Sequence, residues 1–349
     1  MRKNLLVLVV LFCFGCLAGW SQGTPPPPAA EPAPAATAMP TGPLELMKLG
    51  AEMNGLYGDK LAPWHIKATF QLYDLAGKPT EQGTYEEFWA PRRDKRTYTA
   101  PSFTLTDWTM EDGKYFSQTL GALPPRMILE LIRSSFVDPV PSAEFIRLGE
   151  LSKRTLPVGN VTLVCVSLSY KNLPGHGLAA REGSYCFADD KTILRISILY
   201  GGIQSVSNAV GVFQNRHVAQ SLSITAFGKP LLDLKVDSLS SLTSIQGSDF
   251  DPPDEVKNKQ PSAGPSAPGK VTVGRIRTKV PPIYPADAKR HGVKGVVLLE
   301  GLIGKDGHLS QIRPIASPDR ALTEAALDAV KQWTYEPYFL NGSPVKSKL

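Results

Sequence analysis

The chain has few of the residues and patterns that announce chemistry. Four cysteines occur in 349 residues, Cys13, Cys16, Cys165 and Cys186. That is too few for a disulfide-dense scaffold; Cys13 and Cys16 lie in an apolar N-terminal run, and no CxxC pair or histidine pair accompanies Cys165 and Cys186 to hold zinc. The five histidines, His65, His176, His217, His291 and His308, are scattered, with no HExxH pattern. No GxSxG elbow, Walker loop or GxGxxG fingerprint occurs. Ser343-Pro344-Val345-Lys346 fits an SxxK pattern, but the motifs that accompany it in serine enzymes are missing. The commonest metal, nucleophile and nucleotide chemistries are therefore excluded, and no catalytic residue, metal or cofactor is expected.

Long apolar runs are also lacking, apart from Leu5 to Trp20, which follows Arg2 and Lys3 and precedes Ser21, Gln22 and Gly23. As a helix this run would span about 24 Å, short of the roughly 30 Å hydrocarbon core of a bilayer. Residues 1–23 therefore read as a secretory signal peptide, with an uncleaved N-terminal anchor or acylation at Cys16 as alternatives. Export places Cys165 and Cys186 in an oxidising compartment, where two cysteines read as one bridge. Two separate buried thiols are the alternative. In the chain-entropy model such a bridge contributes about 3 kcal/mol. Export also makes nucleic acid an unexpected partner.

What is present is a globular balance, 42% hydrophobic and 20% charged residues, in a length that suits about two domains of roughly 150 residues. Proline concentrates in two stretches, 24–43 and 251–269, which read as linkers. The net charge of +6 falls wholly after residue 269, where 13 Lys or Arg face 7 Asp or Glu. Such a basic module suits an anionic partner surface but names none.

Between the linkers, Leu44, Met47, Leu49, Met53 and Leu56 predict a helix. Ile66, Ala68, Phe70 and Leu72 alternate with polar residues and predict a strand with one wet face. The same pattern recurs over Thr84 to Trp89, Arg96 to Thr99, and Phe103 to Met110, where Glu111-Asp112-Gly113-Lys114 turns the chain into Tyr115. Pro124-Pro125 opens a second helix carrying Ile128, Leu131, Ile132 and Phe136 on one side. Further strands are expected at 161–168, 184–187, 193–200, 216–227 and 231–239. Strands and helices do not alternate regularly, so the expected fold class is α+β, a curved, half-barrel-like antiparallel sheet with covering helices over 44–250. This order, with Tyr185-Cys186-Phe187 and Gly228-Lys229-Pro230 in the later strands, resembles the LolA-like lipoprotein carriers. The resemblance implies a half-open barrel whose helices cover a cavity for acyl lipid or a lipoprotein.

The segment 270–349 is more distinctive. It reads Val280-Pro281-Pro282-Ile283-Tyr284-Pro285, then Gly292 and Gly295, a strand to Ile303, the turn Gly304-Lys305-Asp306-Gly307, and a strand from His308 to Ala316. A helix over 321–333 carries Ala325, Ala326 and Trp333, and Pro337 and Asn341-Gly342 follow. Each motif residue has a structural reading. Pro285 starts a helix where no N–H is needed, Asp306-Gly307 supplies positive φ for a hairpin, and the alanines let a helix lie close on a sheet. Tyr284, Pro285, Gly295, Asp306, Gly307, Ala325, Ala326, Trp333, Pro337 and Gly342 together resemble the C-terminal domain of TonB-family energy transducers, a small α/β domain. That resemblance implies an open sheet edge that accepts an extended segment of an outer-membrane TonB-dependent transporter, with Val345, Lys346, Ser347, Lys348 and Leu349 as the edge. The family's last strand usually continues several residues past the proline-valine pair, so either this strand is short or the chain is truncated.

The sequence thus points to an exported, periplasmic, non-enzymatic envelope protein of TonB type. Its partners would be outer-membrane transporters or other envelope proteins, and inner-membrane motor proteins if the N-terminus is kept as an anchor. The alternative is a carrier of lipid or lipoprotein that uses the C-terminal module for docking.

Overall fold

The computed structural model describes residues 39–58, 60–171, 182–188, 192–199, 202–258, 271–272, 276–336, 338–340, 343–345 and 347–348. The signal segment, the acylation candidate Cys16 and most of the two linkers lie outside them. The chain begins with α1 (Pro43–Met53) and a five-strand meander, β1 (Trp64–Tyr73), β2 (Pro79–Ala90), β3 (Arg93–Ala100), β4 (Phe103–Thr109) and β5 (Tyr115–Gly121). Two helices, α2 (Arg126–Phe136) and α3 (Ala143–Leu148), precede a second run of strands. These are β6 (Glu150–Val158), β7 (Val161–Ser169), β8 (Gly183–Ala188), β9 (Leu194–Leu199), β10 (Ile203–Phe213), β11 (Arg216–Ala226) and β12 (Lys229–Ser241). A short helix, α4 (Asp254–Lys257), closes this part.

All twelve strands form one antiparallel sheet in the order β5-β4-β3-β2-β1-β12-β11-β10-β9-β8-β7-β6. The first and last strands pair at its centre, while β5 and β6 end it, so the sheet is open and not a closed barrel. The alternation expected in β1 is realised: Trp64, Ile66, Ala68 and Phe70 are buried and the intervening residues lie nearer solvent. The turn at Gly113, with φ +80°, is closed by the Gly113 N–H to Met110 and the Met110 N–H to Lys114. Ile128, Leu131, Ile132 and Phe136 of α2 are buried in the main core, together with inward residues of β1 to β4 and β10 to β12. A second core lies under α1, where Leu46 and Met47 meet Ile146 of α3 and Val164, Val166, Tyr185 and Phe187 of β7 and β8. Cys165 and Cys186 stand directly opposite in the β7–β8 register and form a disulfide.

The C-terminal module contains β13 (Val271–Thr272), β14 (Ile276–Thr278), α5 (Ala286–Arg290), β15 (Leu298–Ile303), β16 (Leu309–Ala316) and α6 (Arg320–Val330). Four short strands follow, β17 (Thr334–Tyr335), β18 (Tyr338–Leu340), β19 (Ser343–Val345) and β20 (Ser347–Lys348). They form three small sheets, β13-β18-β19, β14-β17 and β16-β15-β20. The whole chain is thus α+β, a large open antiparallel sheet with a few helices followed by a small α/β module.

Candidate functional site

The C-terminal module is held by local devices at the motif positions. Pro285 takes extended backbone just before α5, and the Tyr284 hydroxyl donates to the Val293 carbonyl. Asp319 caps α6, its Oδ1 accepting the N–H groups of Ala321 at 2.8 Å and Leu322 at 3.2 Å. The Trp333 indole donates to the Val280 carbonyl at 2.7 Å and lies beneath the Lys279 ammonium, tying the end of α6 to the Val280–Pro285 segment. Gly307 is required by two constraints at once. Its φ is +81°, and a Cβ there would lie 2.0 Å from the Tyr335 carbonyl oxygen. Asp306 sits beside it, its Oδ1 accepting the His308 N–H at 3.1 Å. Ala325 and Ala326 are half-buried on α6, and Ala325 lines a groove with Val280, Pro281 and Ile283. Gly295 has φ +154°, and a Cβ there would meet Pro318 at 2.8 Å. Pro337 and Gly342 lie outside the described residues.

Of the five edge candidates the structure describes three, in two sheets. Val345 is on β19, which pairs with β18 at one end of its sheet. Ser347 and Lys348 are on β20, which pairs with β15 at the end of another. Lys346 and Leu349 lie outside the described residues. The opposite end of the β20 sheet is β16, where Pro314 lacks a backbone donor and Gln311 has φ +52°. Both features interrupt a regular ladder, so β16 is poorly suited to receive another strand.

A second candidate, not anticipated from the sequence, is a charged cleft between α2 and strands β3 to β5. Arg133 of α2 grips the Glu87 carboxylate of β2 through Nε and Nη2 at 3.0–3.2 Å, and Glu87 also accepts the Tyr85 hydroxyl. Arg126 donates to Asp107 at 2.6 Å and to Ser117 at 2.7 Å, while Arg96 lies 3.3 Å from Asp94. Burial pushes the Glu87 carboxyl up, opposed by the Arg133 charge. Burial would lower Arg133, but the Glu87 and Asp94 carboxylates outweigh it and hold the guanidinium well above its ordinary range. Burial likewise raises the Tyr98 phenol. The cleft has a volume of about 350 Å³. The signal was strand parity, since Glu87 shares the inward face of β2 with Tyr85 and Trp89, where a charge must have a buried partner.

The four described histidines do not converge. His65 stacks on Phe88 and bonds Glu86 at 2.8 Å, His217 is buried on β11, and the His291 ring bonds the Asp287 carbonyl. His308 bridges to Thr334, and His176 lies outside the described residues. Among the described residues no group of three or more His, Cys, Asp or Glu is placed to hold a metal, and no helix is long and apolar enough to cross a membrane.

Comparison with known proteins bears on the module and its devices. Residues 280–349 match the family described as Gram-negative bacterial TonB protein C-terminal. The chain is also similar to Protein TonB of Vibrio cholerae serotype O1, with 33% identity over 75 residues. That match covers 21% of this chain and 31% of the TonB protein. Among solved structures, a DUF1329 family protein from Desulfovibrio piger superposes with a TM-score of 0.43 at 7% identity, covering 62% of this chain and 98% of its own. A LolA superfamily protein from Nitrosomonas europaea gives 0.41 at 7% identity, covering 60% and 97%.

Proposed function

We propose that the chain is a non-enzymatic, exported envelope protein whose TonB-like module binds envelope partners by adding an extended partner segment to its terminal strands. The observation that carries this reading is the family match over 280–349, in a module whose last strands stand at sheet ends. Strand addition suits such a task because main-chain N–H and C=O groups supply affinity whatever the partner's sequence, and alternate side chains supply selectivity. TonB-dependent outer-membrane transporters are the leading partners, with inner-membrane motor proteins added if residues 1–23 remain as an anchor. The module's surplus of 13 basic over 7 acidic residues favours acidic partner segments.

The test is affinity recovery from intact cells after crosslinking, comparing the full chain with one lacking residues 345–349. Outer-membrane transporters recovered with the full chain and lost on deletion support the reading. Transporters recovered equally with both chains would contradict it.

A carrier role for the twelve-stranded domain is the second reading. It draws on the cleft of about 350 Å³ beneath α2, whose wall combines Leu129, Leu131 and Leu199 with three arginines and so suits an amphiphile with a polar head. Acyl lipid or lipoprotein retained through gentle purification, and unaffected by the deletion, would favour it.

A further inference from the structure

Helix α2 begins badly by its own sequence. Its N-cap is Pro125, no side chain of its own caps it, and its first turn holds no acidic residue. A helix start leaves N–H groups without intrahelical partners, and burying them uncapped is costly. The cap comes instead from the TonB-like module, more than 170 residues later in the chain. The Glu300 carboxylate accepts the Met127 N–H at 2.7 Å and the Arg126 N–H at 3.3 Å. Directly opposite Glu300 in the β15–β16 register stands Arg313. It donates to the Leu123 carbonyl at 2.9 Å and the Pro124 carbonyl at 3.0 Å, and its guanidinium lies 3.3 Å from Glu300. One cross-strand pair therefore satisfies the carbonyls before the helix and the amides that open it. Beside it, Ile315 and Ala316 of β16 are buried in the main core with α2.

Two further observations give this contact a consequence. Helix α2 supplies a wall to the charged cleft through Arg126, Leu129 and Arg133, and its Leu131 and Ser134 line both that cleft and a smaller cavity against β9 to β11. Whatever holds α2 against the sheet therefore sets the shape of both. A groove of about 330 Å³, open to solvent, runs along the contact between module and sheet domain among Leu72, Leu75, Ile128, Leu231, Arg313 and Ile315. A contact flanked by solvent on this side is held by fewer packed side chains than a close-packed core.

We propose that the TonB-like module is a latch on α2. Docked through Glu300, Arg313 and Ile315, it caps the helix and fixes it beside the cleft; drawn away by a partner, it removes the cap, frees α2 to move and widens the cleft for an amphiphilic ligand. The partner-driven half rests on the proposed function above, whereas the docking half stands on this structure alone. A partner that binds only the undocked module has an apparent affinity equal to its intrinsic affinity multiplied by the fraction of time the module is undocked.

The test uses the full chain with Glu300→Ala, Arg313→Ala and the double variant, and Arg320→Ala as a control in the same module, at a side chain 91% exposed. Hydrogen exchange at the amides of Arg126 and Met127 is expected to accelerate roughly tenfold in Glu300→Ala, the scale of a lost helix cap. Glu300→Gln, which keeps one acceptor, is expected to give an intermediate rate. Fluorescence of 8-anilino-1-naphthalenesulfonate, an anionic amphiphile used as the probe, is expected to rise several-fold in the double variant and not in Arg320→Ala. Unchanged exchange in the Glu300 variants would overturn the latch. Faster exchange with unchanged probe binding would also overturn it, since the contact would then cap the helix without controlling the cleft. Neither readout needs a partner, so a failed latch is distinct from failed recovery of transporters by residues 345–349.

Discussion

Replacing Arg133 by methionine removes the cation that neutralises a fully buried carboxylate. The Glu87 side chain is 0% exposed and that of Arg133 24% exposed, and three contacts of 3.0–3.2 Å join them. Breaking one side of a buried pair typically costs 3–5 kcal/mol, and the partial exposure of Arg133 places this case near about 3 kcal/mol. For a domain of this size that is a fall in Tm of about 6–12 °C. The variant Glu87→Gln/Arg133→Met removes both charges while leaving Tyr85 an acceptor, so it is expected to recover about 2 kcal/mol of the loss. The loss also has a pH signature. Without Arg133, burial, joined by the Asp94 charge, outweighs the Arg96 charge and the Tyr85 hydrogen bond and raises the folded pKa of Glu87 above the unfolded value, so the native variant keeps the proton longer than the unfolded chain. Its stability is then greatest below the ordinary Glu range of about 4.3 and falls as pH rises through the raised value, making the deficit larger at pH 7 than at pH 4. Thermal and urea unfolding of the full chain followed by circular dichroism reads all three quantities. A single-variant loss under about 1 kcal/mol, or a double variant no better than Arg133→Met, would refute the argument that this pair holds α2 to the sheet.

Other outcomes follow from local geometry. Asp319→Ala is expected to cost the TonB-like module about 1 kcal/mol through loss of the α6 cap, read by urea unfolding of the full chain. Gly307→Ala is expected to destabilise the same module, because a Cβ collides with the Tyr335 carbonyl in a left-handed turn, and weakened exchange protection of the Tyr335 amide reports it. Replacing Cys165 and Cys186 by serine is expected to lower stability by about 3 kcal/mol, given their separation of 21 residues, and reducing agent should then have no further effect on the Tm. Asp74 titrates below the ordinary Asp range because the Lys78 N–H, chiefly, bonds its carboxylate in the β1–β2 turn. Its contribution is present above a pH of about 3.9 and is lost as pH falls through the lowered value, which amide exchange at Lys78 measures.

Much of this architecture was legible because the responsible signals are local. The period-two pattern of Ile66, Ala68 and Phe70 needs only one buried face, and Asp306-Gly307 needs only a hairpin. The spacing of Ile128, Leu131, Ile132 and Phe136 similarly gave α2 its buried side. In the twelve-stranded sheet, two strands were not legible in the sequence, for physical reasons. Strand β10 contains Ser205, Ser207, Asn208 and Gly211 and shifts register between Ser207 and Val210, so its alternation is broken. Strand β6 ends the sheet, is largely exposed and contains Pro157, so burial left little mark on its sequence. The charged cleft was harder still. Arg133 looks like an ordinary solvated helix residue until Glu87 is placed under it, 46 positions earlier in the chain. The cap that Glu300 gives α2 is likewise invisible in the sequence, because neither Pro125 nor Glu300 announces the other.

The central claim is that the terminal strands of the TonB-like module receive partner segments, and site-specific photocrosslinking in intact cells tests it most directly. A photoreactive residue placed singly at Val345, Ser347 and, as control, Arg320 samples both sheet ends and an exposed helix position of the same module. The account expects crosslinks from Val345 or Ser347 to a short segment of an outer-membrane transporter, mapped by mass spectrometry, and none from Arg320. Crosslinks from Arg320 to the same transporter segment, with none from Val345 or Ser347, would contradict it.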